Sequence, residues 1–228
     1  MLKLESYGSS SSGNCHILTN GVTNIMLDCG LTPKQMAAKG IRLASLSACL
    51  VTHSHKDHCK GLSAVTKAAV DTFMLKECHT AIGEKSHRIS FISPREAFRV
   101  GTMAILPFEL EHDVPTLGFL IESDGGSRAV YITDTAFCSY NFKDLEIIAI
   151  ECNYNSIGRN IPADVARRVY GSHMALEQTL GFVKANMSDK LKEVRLLHLS
   201  DSNSNEKLMR EAVQARVGEK VKVTVAEK

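Results

Sequence analysis

Ala48-Cys49-Leu50-Val51-Thr52-His53-Ser54-His55-Lys56-Asp57-His58 is the stretch on which the reading of this chain turns. Its first four residues are apolar without a break, the pattern of a short strand buried on both faces. The residues that follow place four strong cation-binding side chains, His53, His55, Asp57 and His58, where that strand becomes a loop. Imidazole and carboxylate hold zinc-like divalent ions and leave coordination positions open for water. In an extended turn His53 and His55 point the same way, and Asp57 and His58 can face a second ion. A solvated polar loop or an expression tag is the bland alternative. Internal position and mixed composition exclude the tag, and so dense a set of donors at a strand end rarely arises by chance.

One segment cannot close two coordination shells, so further donors belong at other strand ends. Three such residues follow expected strands: His112 after Met103–Leu110, Asp134 after Ala129–Thr133, and His198 after Val194–Leu197. Taken singly, His112 reads as a surface residue, Asp134 as a turn former and His198 as a core histidine. Their joint recurrence at strand ends favours a cation site.

Periodicity places early strands at Leu2–Tyr7, Cys15–Thr19 and Asn24–Asp28, with a hairpin signal at Asn20-Gly21. Thr32-Pro33 opens a short helix that Gly40 ends. A helix is expected over Leu62–Val70 and a strand near Phe73–Leu75. Later come a hairpin of Gly118–Glu122 with Ala129–Thr133 and a strand at Ile147–Glu151. Helices near Ala163–Tyr170, Ala175–Ala185 and Asn205–Val217 and a closing strand at Val221–Val225 complete the pattern. Strands in runs separated by helices, in two similar halves, suggest two packed sheets with helices outside, an α/β or α+β chain.

The 228 residues, 44% hydrophobic, suit one domain over 1–228 with a proper core. No apolar run reaches the roughly 18 residues of a membrane span, and Met1–Glu5 lacks the form of a signal peptide. Seven scattered cysteines, never spaced C-x-x-C, argue against a disulfide scaffold or a thiolate zinc knot and fit a reducing cytoplasm. A net charge of +2 is too small to mark a nucleic-acid binder, so any affinity for phosphate must be local.

The order H-x-H-x-D-H, His, Asp, His resembles the metallo-β-lactamase superfamily over nearly the whole chain, with Asp28 as its first motif. The resemblance implies a four-layer αββα sandwich and two divalent ions, zinc or manganese. His53, His55, His112 and Asp134 would hold one ion; Asp57, His58, Asp134 and His198 would hold the other. Asp28 would orient the histidine loop from behind.

Fold alone does not settle chemistry. Glu111-His112-Asp113-Val114-Pro115 resembles a segment of the ribonuclease Z-like phosphodiesterases, and Glu151 and His173 stand where that group has a paired Glu and His. Gly8-Ser9-Ser10-Ser11-Ser12-Gly13-Asn14 and His198-Leu199-Ser200-Asp201-Ser202-Asn203 are similar to signatures of its YycJ/WalJ-like branch. In the first of these, small residues let backbone N–H groups approach an anion. A flexible linker is the other reading, which a place between two strands disfavours. Ser11, Ser12, Gly13, Asn14, Ser200 and Asn203 are therefore expected to meet substrate phosphate. The chain departs from the branch at Asn153-Tyr154-Asn155 and at Ser172-His173-Met174.

The resemblance implies a nucleic-acid substrate, DNA ahead of RNA, cut by a 5′ to 3′ exonuclease. Its catalytic set would be Asp57, Asp134, Glu151 and His173, with His173 donating a proton to the leaving oxygen. A small cyclic phosphodiesterase or an ester or thioester hydrolase would use the same ions, and a non-catalytic nucleic-acid binder is a third class. Lys56, Lys60, Arg159, Arg167 and Arg168 read as solvated charges that can also guide a backbone. The oligomeric state stays open, a dimer included.

Overall fold

A computed structural model describes residues 1–156 and 169–228. Most of the helix expected at Ala163–Tyr170 lies outside the described residues, as do Arg159, Arg167 and Arg168.

The first sheet carries six strands in sequence order: β1 (Lys3–Gly8), β2 (Cys15–Thr19), β3 (Asn24–Leu27), β4 (Ala48–Leu50), β5 (Thr72–Met74) and β6 (Ile89–Phe91). Pairing is antiparallel through β3 and parallel from there to β6. The second sheet repeats this plan. It comprises β7 (Phe98–Val100), β8 (Met103–Leu110), β9 (Thr116–Ser123), β10 (Arg128–Ile132), β11 (Ile147–Glu151), β12 (Glu193–Leu197) and β13 (Lys222–Val225). Here β7 to β10 are antiparallel and β10 to β13 parallel.

The two-faced burial of the second sheet follows from the period-2 alternation of strands. Ala129, Tyr131, Ile147 and Ala149 join a cluster with apolar residues of the first sheet. Val130, Ile132, Ile148 and Ile150 point the other way, into a cluster with Phe182, Met209 and Val213. Those three come from helices Leu176–Ala185 and Glu206–Val217. Helices Pro33–Ala38 and Leu62–Lys67 supply Met36, Leu62 and Val65 to the first cluster. Both sheet faces are thus apolar, which is the αββα order read from the sequence.

Strands β6 and β7 and the helix Lys76–Ile82 had no counterpart in the sequence reading. Each strand has three residues with little buried surface, so neither alternates visibly. The helix starts at Leu75 without a side-chain cap, although Gly83 ends it at φ 74°. The cluster itself is less extended than expected. Residues Lys56–Cys59 wind into one helical turn after His55, closed by the His58 N–H on the His55 carbonyl at 2.9 Å.

Strand direction sets the location of the site. β3 and β4 run together, β10, β11 and β12 run together, and β8, two antiparallel steps from β10, shares its direction. Asp28, His53, His112, Asp134, Glu151 and His198 all sit at or just past the C-terminal ends of these strands. Asp28, Asp134 and His198 take left-handed backbone at φ 58°, 48° and 52°. Non-glycine residues rarely adopt this form, and it clusters at functional sites that the surroundings over-determine.

Candidate metal centre

Asp28 is the buried anchor. It accepts hydrogen bonds from the Thr52 N–H and hydroxyl at 2.8 and 2.9 Å and from the Tyr131 hydroxyl at 3.0 Å. It also meets His58 Nδ1 at 2.8 Å. One carboxylate thereby ties β3, the start of the histidine loop and β10 of the opposite sheet.

The partner of one ring nitrogen decides which nitrogen keeps a free lone pair. The Thr52 hydroxyl donates to Asp28 and so accepts from His53 Nδ1 at 2.9 Å, which leaves His53 Nε2 as the bare nitrogen. His58 Nδ1 faces Asp28, and its Nε2 lies 2.8 Å from Asp134 Oδ2. His112 Nδ1 donates to the Ser172 carbonyl at 2.9 Å. His198 Nδ1 meets Glu151 Oε1 at 3.1 Å, and its Nε2 is buried with no hydrogen-bond partner among the described residues.

The bare nitrogens converge. His53 Nε2 is 3.1 Å and His112 Nε2 3.4 Å from His55 Nδ1, so three imidazoles face one another. Asp57 Oδ2 stands 3.5 Å from His58 Nε2 and 3.8 Å from His198 Nε2. His53-His55-His112, Asp57-His58-His198 and His53-His58-Asp134 each bring donor atoms within 4.8 Å, and any of these sets could hold a cation. Asp134 adjoins both triads, through His53 and His58 on one side and His198 on the other. The chemistry fits: lone pairs aimed at one another and an orphaned buried Nε2 call for a positive charge between them.

The electrostatics differ from ring to ring. Burial drives the pKa of His53 and of His112 down, favouring neutral, ligand-competent rings. Burial opposes charge on Asp134 too, but the flanking His198 and His58 hold its pKa well below the usual carboxylate range. For His58, burial is overcome by Asp134 and Asp28, which hold its pKa well above the ordinary value.

Glu151 organises the other wall. Its Oε2 accepts the Thr135 and Met174 N–H groups at 2.9 and 3.1 Å, and its Oε1 meets His173 Nδ1 at 2.7 Å. Burial disfavours a charged His173, yet the Glu151 carboxylate outweighs it and pushes the pKa up to about 9. His173 lies 3.5 Å from Asp134 Oδ1. A cavity of about 230 Å³ opens here, lined by Ser11, His55, Asp57, Asp113, His173 and His198 among others. A larger cavity of about 530 Å³, beyond Leu110 and Thr116, has no histidine in its wall. The smaller one is the candidate site because the titratable groups face it.

Of the residues expected to meet phosphate, Ser11 alone lines this cavity. Ser12 is exposed and its carbonyl accepts from Lys60 Nζ at 2.9 Å. Asn14 is turned inward, its amide 3.3 Å from Asp57 Oδ2 and 2.9 Å from His58 Nε2. Gly13 packs so tightly that a Cβ would meet the Gly30 carbonyl at 2.6 Å. Ser200 and Asn203 bond to each other, at 3.2 Å from the Asn203 N–H to the Ser200 hydroxyl, and are absent from the cavity wall. The sequence reading missed Thr52, Tyr131, Gly30 and the part played by Asp113. Only the Asp-Cys-Gly run at 28–30 carried a local signal, a glycine beside an acidic strand end.

A family model described as a beta-lactamase superfamily domain matches residues 23–198. The chain belongs to the metallo-β-lactamase superfamily. Its members include metal-dependent hydrolases, and the chain is an enzyme of that kind, with a candidate His/Asp cluster for metal. It is similar to an exodeoxyribonuclease YycJ of Bacillus anthracis, 25% identical over 93% of this chain and 88% of that one. A ribonuclease Z of Methanopyrus kandleri is 29% identical over 44% of this chain and 40% of its own length. Among solved structures, the superfamily protein YhfI of Bacillus subtilis superposes with a TM-score of 0.76 over all of this chain and 97% of its own, at 16% identity. No described helix is long and apolar enough to cross a membrane.

Proposed function

We propose that this chain, as one domain over its 228 residues, hydrolyses phosphodiester bonds of nucleic acid with two divalent cations, zinc or manganese, and acts as a 5′ to 3′ DNA exonuclease. The observation that carries the reading is the Glu151–His173 pair at 2.7 Å, aimed into the cavity beside Asp134. Departure of an alkoxide from phosphorus needs a proton, and a histidine held protonated near neutral pH supplies one. A thioester hydrolase, whose leaving thiolate needs no proton, has little use for the pair. The similarity to an exodeoxyribonuclease and to a ribonuclease points to the same bond.

In this reading His53, His55, His112 and Asp134 hold one cation, and Asp57, His58, Asp134 and His198 the other. Bound there, the cations would polarise the phosphoryl group and lower the pKa of water. The chain's own groups do the rest. Asp134 is held ionised well below the usual carboxylate range, because His198 and His58 flank it against the cost of burial. His173 gives its proton to the leaving oxygen and regains it from solvent through the part of its ring that opens on the cavity. Ser11 offers a hydroxyl at the cavity rim for a non-bridging oxygen. Seven free, buried cysteines suit a reducing cytoplasm.

The test is cation-dependent degradation of end-labelled single-stranded DNA, double-stranded DNA and RNA, run beside a thioester and a small cyclic phosphodiester. Mononucleotides released from DNA 5′ ends are expected. Turnover of the thioester alone, with all nucleic acids intact, would refute the assignment.

A further inference from the structure

Metal-binding histidines keep their orientation and tautomer through the nitrogen that does not face the metal. Four of the five clustered rings have a buried partner for that nitrogen: Thr52 for His53, Asp28 for His58, the Ser172 carbonyl for His112 and Glu151 for His198. His55 differs in two ways. Its inward atom is Nδ1, the one close to His53 and His112, so its outward atom is Nε2. That Nε2 faces Asp113 Oδ1 at 3.4 Å. The Asp113 side chain is 49% exposed, and its Oδ1 is also 3.0 Å from His112 Nε2.

We infer that Asp113 is the positioning residue for His55. Its carboxylate is the acceptor for the Nε2–H, which keeps the proton on that nitrogen and leaves the Nδ1 lone pair for the cation that His53 and His112 share. The inference rests on the metal reading of the site. Asp113 is well placed for the task by the fold: it follows His112 directly on the loop after β8, so one short segment supplies a donor and the partner of its neighbour. Its exposure sets it apart from the other four partners, which are buried. His55 is therefore the ring whose hold on the cation depends on a surface charge.

The test is a zinc titration against a chromophoric chelator on wild type, Asp113→Ala and Asp113→Asn. Histidine-selective ¹⁵N spectra of the zinc-loaded proteins report the tautomers. Wild type should bind two equivalents, with His55 protonated at Nε2. The alanine variant should keep one equivalent at wild-type affinity and bind the other 10- to 100-fold more weakly, about the loss expected of an orienting partner. The asparagine variant retains an acceptor oxygen and should stay within a few-fold of wild type, with the same tautomer. Equal losses for Asn and Ala would make Asp113 a direct ligand and overturn the inference, as would an unchanged alanine variant. A wild type that binds no zinc would instead remove the metal reading beneath it. Should Asp113→Ala not fold, Asp113→Ser carries the same expectation.

Discussion

Gly30→Ala is a one-carbon change with a large expected effect, because the space it needs is held by backbone. An alanine Cβ there would lie 1.6 Å from the Asp57 carbonyl oxygen, 2.4 Å from its carbon and 2.7 Å from the Asn14 nitrogen. Ordinary contact begins at 3.4 Å, so the Asp57 carbonyl must retreat by about 1.8 Å (3.4 − 1.6). It is not free to do so. The Asn14 N–H bonds to that carbonyl at 2.7 Å, the Gly30 N–H to Asn14 at 2.8 Å, and the Cys29 N–H to the His58 carbonyl at 2.8 Å. Over-packing of this kind costs about 1–3 kcal/mol, and each buried hydrogen bond broken adds about 1 kcal/mol. A total of roughly 3 kcal/mol lowers Tm by roughly 6–12 °C in a chain of this size. Asp57 and His58 move with the backbone, and a misplacement of about 1 Å costs about 10²-fold in rate. Differential scanning fluorimetry, with a zinc titration alongside, reads both consequences. A variant with unchanged Tm and full zinc uptake would refute the claim that Gly30 seats the Asp57 turn.

Three further outcomes are expected. Asp134→Ala removes the carboxylate common to both donor sets and should abolish cation uptake and activity together, read by elemental analysis and the nuclease assay. His173→Ala should keep its cations and lose about 10²–10⁴ in kcat, the usual worth of a general acid; full activity would reassign the proton donor. His16 is buried against Tyr131, and burial, with Arg195 and neighbouring histidines adding to it, drives its pKa down to about 3. The fold therefore binds this proton less well than the unfolded chain, whose histidine titrates near 6.5, so stability falls as pH drops from there towards 3. By pH 5 the loss is about 2 kcal/mol. In His16→Phe the stability difference between pH 8 and pH 5, from urea unfolding, should shrink by about that much, and parallel curves would refute it.

The candidate cation donors were legible in the chain because the chemistry is concentrated in a few residue types. His, His, Asp and His within one short segment, and a lone His or Asp after each of three apolar runs, are local patterns that survive without any knowledge of packing. The Glu151–His173 pair was legible only through resemblance, since 22 positions part the two and nothing local joins them. Residues 8–14 show the limit of a local reading. Small residues and hydroxyls suggested a phosphate cradle, whereas Ser9 accepts from the His198 N–H at 2.9 Å and Asn14 faces Asp57. A run of serines and glycines advertises close approach of backbone, but not to what.

Composition and periodicity thus pointed to two packed sheets and to the candidate donors, because strand alternation and ligand chemistry are properties of neighbours along the chain. The tertiary structure alone decided which nitrogen of each histidine faces inward, because the partners that set it come from other strands. It also decided that Tyr131 of one sheet would bind the Asp28 of the other, and that Gly30 could be nothing larger. Left-handed turns at Asp28, Asp134 and His198 bring the strand ends to a common focus. Those turns are imposed by long-range hydrogen bonds and packing, which no window of sequence contains.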